Sequence, residues 1–344
     1  MSSYLINSYV FGGPVAYIAI AHNTAPHVTV YPLSAAGFGT KFANPSPSIS
    51  NQSLSVAFNA TADTIAFGAS NSPFIQVHPW TSAGFGTKYA DPANLPSPSV
   101  SGIAFKPDNT QIVMSSESLA AGKKRISGYP WSGSGFGTKY ADPATGQGDL
   151  SYDVSIRANG DAVASVSQYV SPYVIAWPFS GSGFGTKYAD PGTLPAGVAT
   201  GVHFDQTNNA IAVGHNNSPY VTAYPWSSGF GTKYANPASL PPGNIQGVKF
   251  NPAGNALAVN HYGASPYLTV YAWSAGFGSK YSNPATLPAT TTTQVAWASL
   301  GDRIAVSTHT SPYVDAYPWS AGFGTKYAAP ATAPAGLGNN VAIS

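Results

Sequence analysis

Gly84-Phe85-Gly86-Thr87-Lys88-Tyr89 decides the fold, because it does not stand alone. Near-copies of it place their phenylalanines at Phe38, Phe85, Phe136, Phe184, Phe230, Phe277 and Phe323, at intervals of 47, 51, 48, 46, 47 and 46 residues. A period of this size with four short strands per unit is the signature of a β-propeller. One four-stranded blade cannot bury both faces of its sheet alone, but blades stacked around an axis bury each other. The expectation is an all-β, seven-bladed β-propeller of four-stranded antiparallel blades, one domain over residues 1–344. Blades are expected at about 7–47, 54–96, 101–145, 152–195, 200–241, 246–288 and 293–335, with 336–344 as a closing strand or tail.

Period-two alternation and turn residues place the strands around the second copy. Lettered from the axis outward, Ser55-Val56-Ala57-Phe58 is strand A, Thr64-Ile65-Ala66-Phe67 is B, and Phe74-Ile75-Gln76-Val77-His78 is C after the Ser72-Pro73 break. Gly84 to Tyr89 is the outer strand D, ended by Asp91-Pro92. The apolar pair of strand A repeats as Tyr9/Phe11, Val56/Phe58, Ile103/Phe105, Val154/Ile156, Val202/Phe204, Val248/Phe250 and Val295/Trp297. Leu33, Trp80, Trp131, Phe179, Trp226, Trp273 and Trp319 close strand C and are expected in the core between blades. Pro79, Pro130 and Pro225 precede three of these aromatics, and a proline cannot donate to a ladder, so strand C is expected to end or bulge there.

Two features break the repeat. Residues 118–125 insert extra chain between strands B and C of the third copy and carry the one basic run, Lys123-Lys124-Arg125. Val341 and Ile343 sit at the spacing of an eighth strand A, while Tyr9 and Phe11 already occupy that of the first. Only one segment can be innermost, and the reading here assigns that place to the N-terminal one.

Gly247-Val248-Lys249-Phe250-Asn251-Pro252-Ala253-Gly254-Asn255-Ala256-Leu257-Ala258-Val259, ending at Tyr271-Ala272-Trp273, resembles the strand triplet of a WD repeat, and the likeness covers essentially the whole chain. The His and Asp of the usual WD-repeat tetrad are not matched. The resemblance therefore implies the fold, and a partner-binding habit only weakly. The Ser-Pro-Tyr and Gly-Phe-Gly-Thr-Lys-Tyr pattern is also similar to uncharacterised repeat propellers of tailed bacteriophages.

Composition narrows the function classes. Only 8% of the chain is charged and the formal charge is +2, which offers no footprint for a phosphate backbone, so no nucleic-acid partner is expected. No apolar run is long enough to span a bilayer and the N-terminus lacks a signal-peptide pattern, so neither membrane insertion nor ordinary secretion is expected. Cysteine is absent, which removes disulfides and thiolate metal sites. Glu117 is the sole glutamate, and Asp91, Asp142 and Asp190 fall in the repeated turn after strand D, where they read as turn formers. No nucleophile elbow, metalloprotease helix or phosphate-cradling loop is present. The chain is accordingly read as a non-enzyme without cofactor, catalytic residue or metal site.

Two groups of residues remain as binding candidates. His22, Asn23, His215, Asn216, Asn217, Tyr220, His261, Tyr262 and His309 cluster at the B-to-C turns, where Asn amides and Tyr planes suit a protein patch or a sugar ring, or simply make loop hydrogen bonds. Lys41, Lys88, Lys139, Lys187, Lys233, Lys280 and Lys326 are half of all positive charges and are expected around the circumference. They guard the outer edges against strand pairing, or they form a docking ring. The expected role is a binding or structural component of a tailed-phage virion (decoration, tail or fibre-linked), contacting other virion proteins or a host-surface glycan. A free lectin-like glycan binder or an intracellular WD-repeat-like scaffold are the alternatives. The expected location is the virion or the extracellular space, with the cytoplasm left open.

Overall fold

A computed structural model describes residues 15–49, 51–117, 125–146, 150–207 and 209–344. Seven antiparallel sheets follow one another around an axis. In the second blade the strands are Ser53–Phe58 (A), Thr64–Ala69 (B), Ile75–Thr81 (C) and Gly84–Phe85 (D), paired in that order. The other blades repeat this arrangement, and the chain is a seven-bladed β-propeller.

The hydrophobic core is not one mass but seven clusters, each shared by two consecutive blades. Val28 and Val30 of the first blade pack with Val56, Phe67 and Trp80 of the second. Ala164 and Val174 of the fourth pack with Val202, Phe204 and Trp226 of the fifth. Strand B is buried on both faces along its length, because it sits mid-sheet with a blade on either side. Leu33, Trp80, Trp131, Phe179, Trp226, Trp273 and Trp319 are all buried at these interfaces.

The repeated hexapeptide is explained by the same interfaces. Its Phe packs edge-on against the aromatic closing strand C of its own blade: Trp80–Phe85 at 4.9 Å, Trp131–Phe136 at 4.9 Å and Trp319–Phe323 at 5.0 Å between ring centroids. Its Tyr reaches the same aromatic in the next blade, with Tyr89–Trp131 at 5.1 Å, Tyr188–Trp226 at 5.2 Å and Tyr281–Trp319 at 5.0 Å. Edge-to-face pairs of this kind add to the apolar area they bury. Packing therefore accounts for the uniformity of the outer segment.

Ring closure differs from the sequence expectation. Gly338–Ile343 is the innermost strand of the first blade and pairs antiparallel with Ala16–His22, with Ile20 opposite Val341. Val341 is buried between the last and first blades. The C-terminal strand thus holds the place assigned to Tyr9 and Phe11, which lie outside the described residues. Asn339 adds a bond from its side-chain amide to the Ser53 carbonyl of the next blade, 2.7 Å away.

The strand C prolines meet the expectation in one copy, where the strand ends at Pro225, and depart from it in two. Strand C runs through Pro79 and Pro130 instead of ending there, and Pro79 stays opposite Thr64. Neighbouring Trp80 donates its N–H inward to Asp63, so residue 79 faces strand D with both its carbonyl and its missing N–H. The carbonyl accepts from Gly86, but nothing can be donated in return. The loss falls on strand D, which shrinks to two residues in the first four blades and to one bridge in the fifth and seventh. The sixth blade carries Ala272 in place of proline, and there strand D extends over Phe277–Lys280.

The B-to-C turns are compact. Six contain a cis X–Pro bond, and the following His27, Phe74, Tyr173, Tyr220, Tyr267 and Tyr313 have φ between 65° and 69°.

Candidate functional site: the loop face and the axial funnel

The histidines of the B-to-C turns lie deeper than loop residues. His22, His215 and His261 end strand B fully buried. Each Nε2 lies against a strand C threonine hydroxyl: Thr29 at 3.0 Å, Thr222 at 2.9 Å and Thr269 at 3.2 Å. Burial lowers each imidazole from its ordinary value to about 4, so all three are neutral at pH 7. Their rings hold strand B to strand C. Tyr220 is half-buried against the cluster between the fifth and sixth blades. Asn217 joins its turn to the neighbouring D-to-A loop, its amide donating to the Ala196 carbonyl at 3.1 Å, while Asn216 is half-buried and Asn23 exposed. Tyr262 and His309 are brought together, with ring centroids 5.9 Å apart at 73° and Tyr262 52% exposed.

The seven lysines fold back on their own segment. Lys88, Lys139 and Lys187 pair with Asp91, Asp142 and Asp190 at 2.5–2.9 Å. Lys41, Lys233 and Lys280 donate to Asn44, Asn236 and Asn283 at the same spacing. The turn aspartates are thus lysine partners as well. In the last copy Ala329 stands where the partner should be, and Lys326 turns instead to Asp315 on strand C at 2.9 Å. The paired lysine side chains keep only 17–21% of their surface exposed, so each stem lies along the blade with its charge tied locally.

A set of latches between blades escaped the sequence reading. Tyr31, Tyr129, Tyr224, Tyr271 and Tyr317 on strand C each donate a phenolic hydrogen bond to a carbonyl in the D-to-A loop of the preceding blade: Thr332, Asn94, Thr193, Ser239 and Thr286, at 2.5–3.0 Å. The fourth blade uses Trp177 Nε1 to Thr145 at 2.9 Å, and the second uses the Gln76 amide to Pro47 at 2.8 Å. The signal was available: two residues before the closing aromatic of strand C, every copy carries Tyr, His or Trp.

The axis holds the second group the sequence reading passed over. A funnel of about 640 Å³ opens on the face of the A-to-B turns, lined there by Ala60, Pro107, Ala158 and Leu300, and continues into a channel of about 420 Å³. Asp153, just before strand A of the fourth blade, meets His203 and Lys249, on strand A of the fifth and sixth, in it. The Asp153 carboxylate accepts from Val154 N–H at 2.9 Å and Val202 N–H at 3.2 Å, and Lys249 Nζ lies 3.5 Å away. Burial raises this carboxyl above its usual range, opposed by the Lys249 charge and the two backbone donors. Burial, reinforced by Lys249, pushes the His203 imidazole well below its usual value, and its Nδ1 accepts the Phe250 N–H at 3.2 Å. Ser155 Oγ accepts the Phe204 N–H at 3.1 Å. Side chains of the fourth and fifth blades therefore tie down free inner-edge N–H groups of the fifth and sixth. Aligning the seven copies would have exposed this set, since the position of Ser155, His203 and Lys249 is alanine in Ala57, Ala104, Ala296 and Ala342.

The exposed apolar groups are unevenly distributed. Tyr169, Val170 and Tyr262 in B-to-C turns, and Leu95, Leu194 and Leu240 in D-to-A loops, crown one face, with Tyr169 64% exposed. Successive strands run antiparallel, so both kinds of loop return to this face, opposite the mouth of the funnel.

No protein-family profile matches the chain, and no curated protein matches it in sequence. Solved structures do share its shape. A candidate 6-phosphogluconolactonase from Bacteroides fragilis superposes with a TM-score of 0.74 at 8% identity, covering 96% of this chain and 98% of the other. A protein of unknown function from Desulfotomaculum acetoxidans gives 0.66 at 11% identity, covering 95% and 98%. The Cps50 (Swd1) β-propeller domain of Myceliophteria thermophila gives 0.59 at 11%, covering 81% and 87%. At such identities the likeness shows the fold alone.

Proposed function

We propose that the protein is a non-catalytic binding and architectural ring that docks a protein partner on the face formed by its B-to-C turns and D-to-A loops. The observation that carries this reading is the crown of exposed Tyr169, Val170, Tyr262, Leu95, Leu194 and Leu240 on that face. Aromatic and aliphatic knobs at repeated positions give a partner several weak contacts at once, which sum when presented on a rigid ring. At the axis, the acceptor atoms of Asp153, Ser155 and His203 are occupied by backbone N–H groups, which favours a structural over a catalytic use of these side chains. The setting we propose is a tailed-phage virion, as a decoration, tail or fibre-linked component, and its support is the resemblance of the repeat pattern to propellers of such phages. The lactonase name of one structural neighbour belongs to that protein and lends no activity here.

Quantitative proteomics of gradient-purified particles tests the setting, and crosslinking on the intact particle tests the face. The chain is expected at a fixed copy number, with crosslinks from the crown, and Tyr169→Ser with Leu194→Ser and Tyr262→Ser should abolish incorporation while leaving the melting temperature near that of the parent. A chain missing from particles, or crosslinks confined to the opposite face, overturns the reading. Selective binding on a glycan array that Tyr262→Ser removes replaces it with a lectin.

A further inference from the structure

The axial funnel breaks the sevenfold repeat in one sector. At a single register of strand A, four successive blades, the seventh, first, second and third, carry Ala296, Ala342, Ala57 and Ala104, and the remaining three carry Ser155, His203 and Lys249. One arc of the channel is lined by methyl groups and the other by polar side chains.

That polar arc presents donors. His203 Nδ1 accepts the Phe250 N–H, which fixes the neutral ring as the tautomer protonated at Nε2 and leaves that N–H for the channel. Ser155 Oγ accepts from Phe204, so its own proton remains to be given. Lys249 keeps 22% of its side chain exposed and makes one long contact, 3.5 Å, to Asp153. That contact can satisfy at most one of its three N–H bonds, and two remain. Asp153, the acidic member, already receives two backbone N–H groups and the ammonium. Around these donors the funnel wall is mixed: Phe58, Phe105, Ile156 and Ile343 are half-buried or at the edge of burial, and Gln206, Asp302 and Arg303 stand among them.

We infer that the funnel binds a small organic monocarboxylate with an apolar body, its carboxylate on Lys249 Nζ, His203 Nε2–H and Ser155 Oγ–H, and its body against the alanine arc and the phenylalanines. A volume of about 640 Å³ is that of a small-molecule site, and its convergent donors lie beside an apolar arc. Asp153 offsets much of the Lys249 charge, so the donors match one negative charge and not the two of a phosphate monoester. Charge-assisted hydrogen bonds supply the orientation. The mouth opens opposite the crown of leucines and tyrosines, and the site stands or falls separately from the docking face.

The test uses the full chain with 4-phenylbutyrate, 4-phenylbutanamide and inorganic phosphate as probes, each at about 10 mM, enough to reveal a Kd near 1 mM or tighter. Calorimetry is expected to give one site per chain for the carboxylate and roughly tenfold weaker binding for the amide, which lacks the charge. The His203 ring resonances of the parent protein should shift on titration with the carboxylate. Lys249→Met should weaken the carboxylate by roughly tenfold or more and leave the amide unchanged. No heat and no shift at His203, equal affinity for acid and amide, or preference for phosphate each overturns the proposal, and all three readings are made on the unmodified chain whether or not the variant folds.

Discussion

Histidine in this chain is structural before it is anything else. His22, His215 and His261 are neutral in the fold because burial holds their pKa at about 4, against 6.5 in an exposed chain. Between these two values the unfolded chain takes up protons that the fold refuses, so stability is full above pH 6.5 and falls as the pH is lowered toward 4. Glu117 works the other way. Burial raises it to about 7, so its contribution is lost as the pH rises from about 4.5 through 7. His78, His203 and His309, also lowered by burial, act with these three, and Asp153, raised by burial, acts with Glu117; the histidines outnumber the carboxyls, and the urea midpoint should fall from pH 7 to pH 4.5. Replacing His22, His215 and His261 with glutamine should make that profile shallower without removing the share of His78, His203 and His309, and an unchanged slope would show that other groups set it. The latching tyrosines belong to the same level of description, since each hydroxyl joins a strand C to a loop carbonyl of the preceding blade.

Among the strands, one proline per blade governs the outer edge. Six blades carry proline before the closing residue of strand C, and their outer strands are stubs; the sixth blade carries Ala272, and its outer strand is four residues long. Short, proline-blunted edges discourage pairing between molecules, a task the sequence reading gave to the lysines. Ala272→Pro should cut the outer strand of that blade back to a stub, with hydrogen exchange of the Phe277–Lys280 amides rising to the rate seen in the other blades. Since six blades already tolerate this residue, the cost should be about 1 kcal/mol or less. Retained protection there would mean that the tyrosine and phenylalanine packing, not the rung, sets the strand's length. The strand positions themselves were legible, because alternation and turn residues are local. Which side of the sheet each proline faces was not, because it depends on the pairing phase of strand C with both neighbours.

The ring as a whole is closed by pairing its two ends in one blade. Removing residues 338–344 would expose the inner edge of Ala16–His22 and the cavity left by Val341, and open the interface between the last and first blades. The truncated chain should lose several kcal/mol, unfold over a broader range and associate, readings that denaturation and light scattering give directly. A truncated chain as stable and monomeric as the parent would show that another segment fills the innermost place.

Period, blade number, strand order and interface aromatics could be read from residue order, because each follows from a pattern that repeats within one unit of chain. The repeat could not decide between two equivalent segments for the innermost strand of the first blade, since Tyr9/Phe11 and Val341/Ile343 carry the same pattern; the pairing of Ile20 with Val341 decided it. The Tyr224 latch to Thr193 and the sector of Ser155, His203 and Lys249 likewise emerge only when the blades are set side by side. These contacts join residues of neighbouring blades, and their geometry comes from the rotation between those blades, a quantity that no single repeat encodes.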